Sequence, residues 1–210
     1  MTLSHLDGTA ACDRLSGRGL LGKAKDSLSL RHPGEPTYDL WSFAEENAPL
    51  TQSPRQAFVA TEGGLHGAIY RERGDVGAIV MAATPWAGRL SESPAGMPAI
   101  FDEQVRHIGT NVPRVTSEAE LLSSLATGNN AFHLGKQIVC LGTTLERVVF
   151  NLELLEKCAK SFLLASATGG AVRQIPWIIQ RIAFGRLRKD ERRAAESFAR
   201  GEFPAAAKGY

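Results

Sequence analysis

The segment VGAIVMA, residues 76–82, constrains this chain more than any other stretch. It has no polar side chain, carries three β-branched residues and stops at Ala83-Thr84-Pro85-Trp86. A run this short and this apolar reads as a strand buried in the interior. Upstream, Leu65 and Ile69 follow Glu62 at helical spacing over about three turns, and the Arg71–Asp75 turn leads into the strand. A helix feeding a buried strand points to an α/β fold.

The remaining segments fit that class. Leu3, Leu6, Ala10, Ala11, Leu15 and Leu20 suggest a first helix within residues 3–20, closed by the glycines at 17–22. SLSLR (27–31) alternates as a strand, HPGEP follows as a turn, and Tyr38–Phe43 is a second strand. A polar loop is expected through Pro54, with a third strand over Gln56–Ala60 and a loop over 87–97. Ser117 and Glu120 form a capping box for a short helix through Leu125, and Ala131–Leu141 reads as a strand pair. Thr143, capped against Glu146, opens the strongest helix, whose apolar positions run from Leu145 to Phe162 before Thr168-Gly169-Gly170 stops it. No internal repeat is present.

At 210 residues, 43% apolar and 22% charged, the chain suits a single soluble domain with a sizeable core. Its longest apolar runs fall far short of the roughly 20 residues that cross a bilayer. The start MTLSHLDGTAACDR has no basic stretch followed by an apolar block, so a cytoplasmic protein is expected. Cys12, Cys140 and Cys158 are odd in number and widely spaced, which suggests reduced thiols.

Three stretches together resemble the class II aldolase/adducin family: TEGGLHGAIYRERGDVGAIVMAATPWAGRL, MPAIFDEQVRHIG and GNNAFHLGKQIVCLGTTLERVVFNLELLEKCAKSFLLASATGG. The resemblance implies a class II aldolase-like mixed β-sheet flanked by α-helices in three layers, in one domain. It also implies an assembly, often a tetramer, with sites between subunits. Family members hold a divalent metal through three histidines that steady an enediolate, while an acidic residue moves the proton. Carried onto this chain, the acidic position falls on Glu62, and the histidines of the His-x-His-Pro turn fall on Ala82 and Thr84. The third histidine falls on Lys136, a substrate-binding Asn on Ser27, and a Ser-Ser phosphate contact on Ala60 and Thr61. The resemblance therefore implies the family scaffold without its metal site, and neither a metal nor another cofactor is expected.

An alanine methyl and a lysine ammonium offer no lone pair to an ion. Lys136 is instead a candidate to stabilise a developing oxyanion or, if desolvated, to form a Schiff base; its plain reading is a surface turn lysine. Glu62 is a candidate general acid or base, or simply a carboxylate at a helix start. On a helix beginning there, Glu62, His66 and Tyr70 share one face, so His66 and Tyr70 join the catalytic candidates, against a plain reading as core residues with polar tips. Ser27, Thr61, Thr84, Trp86, His107 and His133 are the substrate-contact candidates, Trp86 as an aromatic wall. The scattered histidines His66, His107 and His133 leave open a rebuilt metal site.

Residues 1–180 are expected to form the domain and 181–210 a basic helical tail that packs on it or on a neighbouring subunit, with Phe184, Leu187 and Phe198 as contacts. Interspersed acids make the tail a solvated face, so neither nucleic acid nor membrane is expected as partner. The partners expected are a small-molecule substrate and further copies of the chain, as a dimer or tetramer. The leading expectation is a metal-independent lyase-type enzyme of small carbonyl or hydroxy-carbonyl compounds in specialised metabolism. A non-catalytic adducin-like scaffold and an oxygenase with a metal held elsewhere are the alternatives.

Overall fold

The computed structural model of the chain describes residues 7–46, 48–59, 62–93, 96–169 and 171–205, the side chain of Glu92 excepted. In order, these form α1 (Gly8–Ser16), β1 (Ser27–Arg31), β2 (Thr37–Ser42), β3 (Thr51–Ala57), α2 (Gly64–Glu72) and β4 (Ala78–Ala82). A 3₁₀ helix (Ala87–Glu92), β5 (Met97–Pro98), α3 (Asp102–His107), β6 (Asn111–Val112), β7 (Arg114–Val115) and α4 (Glu118–Ser124) follow. A second short 3₁₀ helix (Leu125–Thr127), β8 (Ala131–Leu134), β9 (Gln137–Gly142), α5 (Leu145–Ala167) and α6 (Trp177–Ala199) complete the described chain.

Seven strands make one sheet in the order β3-β2-β1-β4-β9-β8-β7. Every pairing is antiparallel except β7 with β8, so the sheet is mixed. β4 lies at its centre between β1 and β9. The pleat sends Ala78, Val80 and Ala82 to one side, where they meet Leu15 of α1 and Val148, Leu152 and Leu155 of α5. It sends Ile79 and Met81 to the other, against Ile69 and Tyr70 of α2 and Leu121 of α4. Both faces are covered, giving the three-layer arrangement that the resemblance implied. Burying each of the Val, Leu and Ile side chains among them contributes about 1.5–3 kcal/mol.

Several boundaries differ from the expectations above for local reasons. The polar stretch before Pro54 is strand: β3 begins at Thr51 and holds Pro54 because it is an edge strand, where one missing donor disturbs no ladder. Gly63, at φ 85°, caps α2, so Glu62 precedes the helix instead of starting it. Residues 87–92 coil into a 3₁₀ helix whose first amides, Trp86 and Ala87, donate to the Glu156 carboxylate of α5 at 2.6 and 2.9 Å. Thr144, not Thr143, caps α5 by accepting from Arg147 N–H. The Ser117 cap on Glu120 N–H is present, but the Glu120 carboxylate reaches one residue further back, to Thr116. Leu3, Leu6, Ala60 and Gly170 lie outside the described residues.

α6 begins at Trp177 and packs on the body through Ala183, Leu187, Ala194 and Phe198, with Phe184 against Ala99 and Val105 beside α3. A buried ionic network fixes it. The Arg73 guanidinium donates to both Asp75 oxygens at 2.7 Å, to Glu191 at 3.1 Å and to Asn130 at 2.9 Å, while Arg188 donates to the other Glu191 oxygen at 2.7 Å. Cys12, Cys140 and Cys158 are all buried free thiols; burial pushes Cys12 and Cys158 up to about 12 and Cys140 upward as well. Among the described residues no helix is long and apolar enough to cross a membrane.

Candidate active site at the strand ends

Two periodicities meet between β1 and α2. Alternation in β1 turns Ser27 and Ser29 to the same face of the sheet, and the four-residue spacing in α2 puts His66 and Tyr70 on one stripe of the helix facing them. The Ser27 Oγ lies 2.9 Å from His66 Nε2, Ser29 Oγ is 2.7 Å from His66 Nδ1, and the same Oγ is 2.7 Å from the Tyr70 hydroxyl. Four buried side chains thus form one hydrogen-bonded chain, with Ser27 at its outer end. Burial lowers His66 to about 4, so at neutral pH the imidazole is uncharged, donating through one nitrogen and accepting through the other. Burial raises the Tyr70 hydroxyl, the Ser29 hydrogen bond opposing it in part. The chain can relay a proton between hydroxyls without creating a buried charge.

Glu62 stands one turn before His66 and is exposed. Its backbone is held from three sides. Arg71 of α2 donates to the Glu62 carbonyl at 2.8 Å and to the Phe58 carbonyl at 3.1 Å, and the Tyr38 hydroxyl donates to the Gly63 carbonyl at 2.7 Å. A side chain at Gly67 would meet the Glu62 carbonyl at 2.7 Å, so a glycine there lets the chain fold back onto the helix.

Asp26, just before Ser27, is fully buried. Its carboxylate accepts from Gly22 N–H (3.1 Å), Lys23 N–H (2.9 Å) and Ala83 N–H (2.9 Å), while Lys23 Nζ donates to the Ala83 carbonyl at 2.6 Å. The Gln137 amide donates to the Lys25 carbonyl at 3.0 Å. The start of β1, the end of β4 and the start of β9 are therefore stapled by protein side chains. Desolvation raises Asp26 above the usual carboxylate range, against the lowering effect of its backbone donors.

The other sequence candidates disperse. Lys136 is exposed in the β8–β9 turn, so the desolvation a Schiff-base lysine needs is not there. Thr84 is buried and its hydroxyl accepts from Gly88 N–H at 3.2 Å. Trp86 packs into the core on the α5 side, with Lys160 and Arg89 over its ring. His133 is buried on the α5 side as well, its Nε2 donating to the Gly88 carbonyl at 3.0 Å. His107 ends α3, accepts from Arg147 at 2.7 Å through Nδ1 and is lowered to about 3 by burial and by Arg147 and Arg106. Thr61 lies outside the described residues. The sequence put His66 and Tyr70 on one helix face with Glu62 and offered Ser27 separately as a substrate contact; it did not flag Ser29, which a two-residue step from Ser27 would have found, or Asp26, which carries no pattern. A cavity of 530 Å³ opens elsewhere, between Pro98, Asn111, Phe162 and Val172, and none of these is a group that moves protons.

The model of the class II aldolase and adducin N-terminal domain matches residues 42–163. The chain belongs to this family. Among solved structures, YgbL from Escherichia coli, a candidate aldolase/epimerase/decarboxylase, is 22% identical over 84% of this chain and 95% of its own, with a TM-score of 0.67. YgbL from Klebsiella pneumoniae gives 21%, 82%, 93% and 0.67. L-fuculose-1-phosphate aldolase from Thermus thermophilus gives 18%, 79%, 95% and 0.62. At these identities the likeness is one of fold. No curated protein matches the chain.

The residues at the family's metal positions do not fit a divalent ion. Ala82 faces α5 from inside the core, so even an imidazole there would point away from the serines. The residues of β4 that share their face are Ile79 and Met81, paired across from Ser29 and Ser27, and of these Met81 alone carries a donor atom, a thioether sulfur. Thr84 supplies a hydroxyl already bonded to Gly88, and Lys136 an ammonium with no lone pair. Among the described residues no three His, Cys, Asp or Glu side chains converge on one point.

Proposed function

We propose that the chain is a lyase-type enzyme acting on a small carbonyl or hydroxy-carbonyl compound by acid and base catalysis without a metal ion. The observation that carries this reading is the chain Ser27–His66–Ser29–Tyr70, which ends at Ser27, the position that the family resemblance assigns to substrate. Ser27, oriented by neutral His66, donates to the substrate carbonyl oxygen. Glu62 accepts the proton of the substrate hydroxyl; the C–C bond breaks toward the carbonyl, and the resulting enolate carbon takes the proton back from Glu62. Lys136 adds positive charge near the enolate oxygen. His66, Ser29 and Tyr70 position Ser27 instead of exchanging protons with solvent, since burial keeps the imidazole neutral. The family's phosphate contact falls on Ala60 and Thr61, which favours an unphosphorylated, specialised-metabolic substrate. A homo-oligomer remains part of this proposal.

The test is deuterium exchange at the carbon beside the carbonyl, followed by NMR with chelator-treated protein on dihydroxyacetone, glyceraldehyde, hydroxypyruvate and pyruvate. At least one compound should exchange, Glu62→Gln should slow it about 100-fold or more with thermal stability unchanged, and Lys136→Met should slow it less. Exchange that disappears on chelation and returns with zinc, or that survives Glu62→Gln in full, sinks the reading. So does exchange absent from every compound.

A further inference from the structure

α6 carries a surface that the proposed chemistry does not use. Its buried stripe (Ala183, Leu187, Glu191, Ala194, Phe198) leaves the opposite side to solvent. In the first two turns that side groups four large apolar side chains around exposed Arg181: Trp177 is 69% exposed, Ile178 47%, Ile179 41% and Ile182 54%. Exposed large apolar residues grouped in this way mark an interaction surface. The helix is held rigidly, with Ile175 N–H bonded to the Ala99 carbonyl and α6 packed on α3.

Within and beyond this apolar end the same side carries cations. Arg181, Arg186, Lys189, Arg192 and Arg193 are exposed, as is Arg173 before the helix. Of the acids interspersed with them two point inward, Asp190 accepting from Arg106 at 2.5 Å and buried Glu191 from Arg73 and Arg188, while Glu196, near the far end of the helix, is exposed. Six outward cations and one outward acid, Glu196, stand against a net charge of +2 for the whole chain, so the remainder is net acidic and the positive charge is concentrated here. Tertiary contacts engage Asp190 and Glu191, so two of the acids in the helix do not offset its outward cations.

We infer that this end of α6 docks on an anionic lipid bilayer surface, Trp177, Ile178, Ile179 and Ile182 entering the headgroup and acyl boundary while the arginines and Lys189 meet the anionic headgroups. Two features select this occupant. A membrane surface offers an apolar phase and a negative layer within about 5–10 Å of each other, whereas a nucleic acid offers nothing to three isoleucines. A second copy of this face is a poorer match: the apolar patch covers two turns, about 11 Å of helix, against the roughly 800 Å² per partner of a stable dimer, and it would bring like-charged arginines together. Nothing in this surface spans a bilayer.

The experiment is co-sedimentation of the full chain with vesicles of phosphatidylcholine alone and with about 30% phosphatidylglycerol, with tryptophan emission read in parallel. Binding should be at least about tenfold tighter to the anionic vesicles and weaken steeply with salt. Emission should shift to the blue through Trp177, and Trp177→Phe should remove the shift because Trp41 is buried and Trp86 half-buried. Ile178→Ser with Ile182→Ser, and separately Arg186→Glu with Arg193→Glu, should each cut binding about tenfold without changing the melting temperature, since all four sites are exposed. Equal affinity for both vesicles, or no binding at low salt, overturns the inference. A solution mass that falls when Ile178 and Ile182 become serine also overturns it, by assigning the patch to contacts between copies.

Discussion

His66 is clasped by two serines of one strand, Ser27 Oγ at 2.9 Å from Nε2 and Ser29 Oγ at 2.7 Å from Nδ1. Both ring nitrogens are thereby engaged by hydroxyls, and the ring stays neutral because burial disfavours its charge. An imidazolium has no acceptor, so protonation would oblige both serines to accept and would strand a charge beside Tyr70.

This arrangement makes the fold acid-sensitive. His66 is lowered to about 4 and His107 to about 3, from 6.5 in an unfolded chain. The unfolded state therefore binds more protons below pH 6.5, and the stability these rings contribute is complete above that value and lost as pH falls toward 4. Each should contribute a slope of up to about 1.4 kcal/mol per pH unit in that window. Urea denaturation at pH 7, 6 and 5 measures it, and His66→Gln should flatten the profile by about one proton.

Ser29→Ala removes the shared partner of His66 and Tyr70. Two buried polar groups lose a hydrogen bond at once, so the expected loss is about 1–3 kcal/mol for each group left unsatisfied. Tyr70→Phe, which leaves Ser29 bonded to His66, should cost about 1 kcal/mol. Comparing the two by chemical denaturation checks the order.

The staple through Asp26 should be visible as amide protection. In Asp26→Asn one side-chain oxygen becomes an NH₂ group that cannot accept, so either Ala83 N–H or the Gly22 and Lys23 pair loses its partner. Hydrogen exchange at 22–26 and 83 should quicken with a loss of about 1–3 kcal/mol, and added zinc should restore neither.

The Arg73 network should behave as a buried ionic cluster. Glu191→Leu leaves Asp75 as the remaining carboxylate on buried Arg73 and should cost about 3–5 kcal/mol, loosening α6 first. Moderate salt should change this little, because buried pairs are poorly screened. Protease cleavage within α6, compared between wild type and variant, reports it.

The buried run at 76–82 located the central strand because no polar side chain interrupts it, and His66 with Tyr70 could be placed on one helical stripe by counting to four. The edge strand at Thr51–Ala57 looked like loop, since its polar residues and Pro54 carry strand character only through the neighbour they pair with. Ala82 could be assigned to a metal turn in a sequence but not to a face of the sheet. The pleat, fixed by pairing with β1 and β9, turned it into the core and gave the outer face to Met81.

The sequence by itself determined the class of fold and the segments that build it, because periodicity and apolar content are local properties of the chain. Only the tertiary structure decided which side chains meet: Ser29 with His66 and Tyr70, Asp26 with Ala83, Arg73 with Glu191 across 118 positions of sequence. Those contacts depend on strand register and on which side of a helix is buried. Both are settled by the whole packed core at once, and no single segment records them.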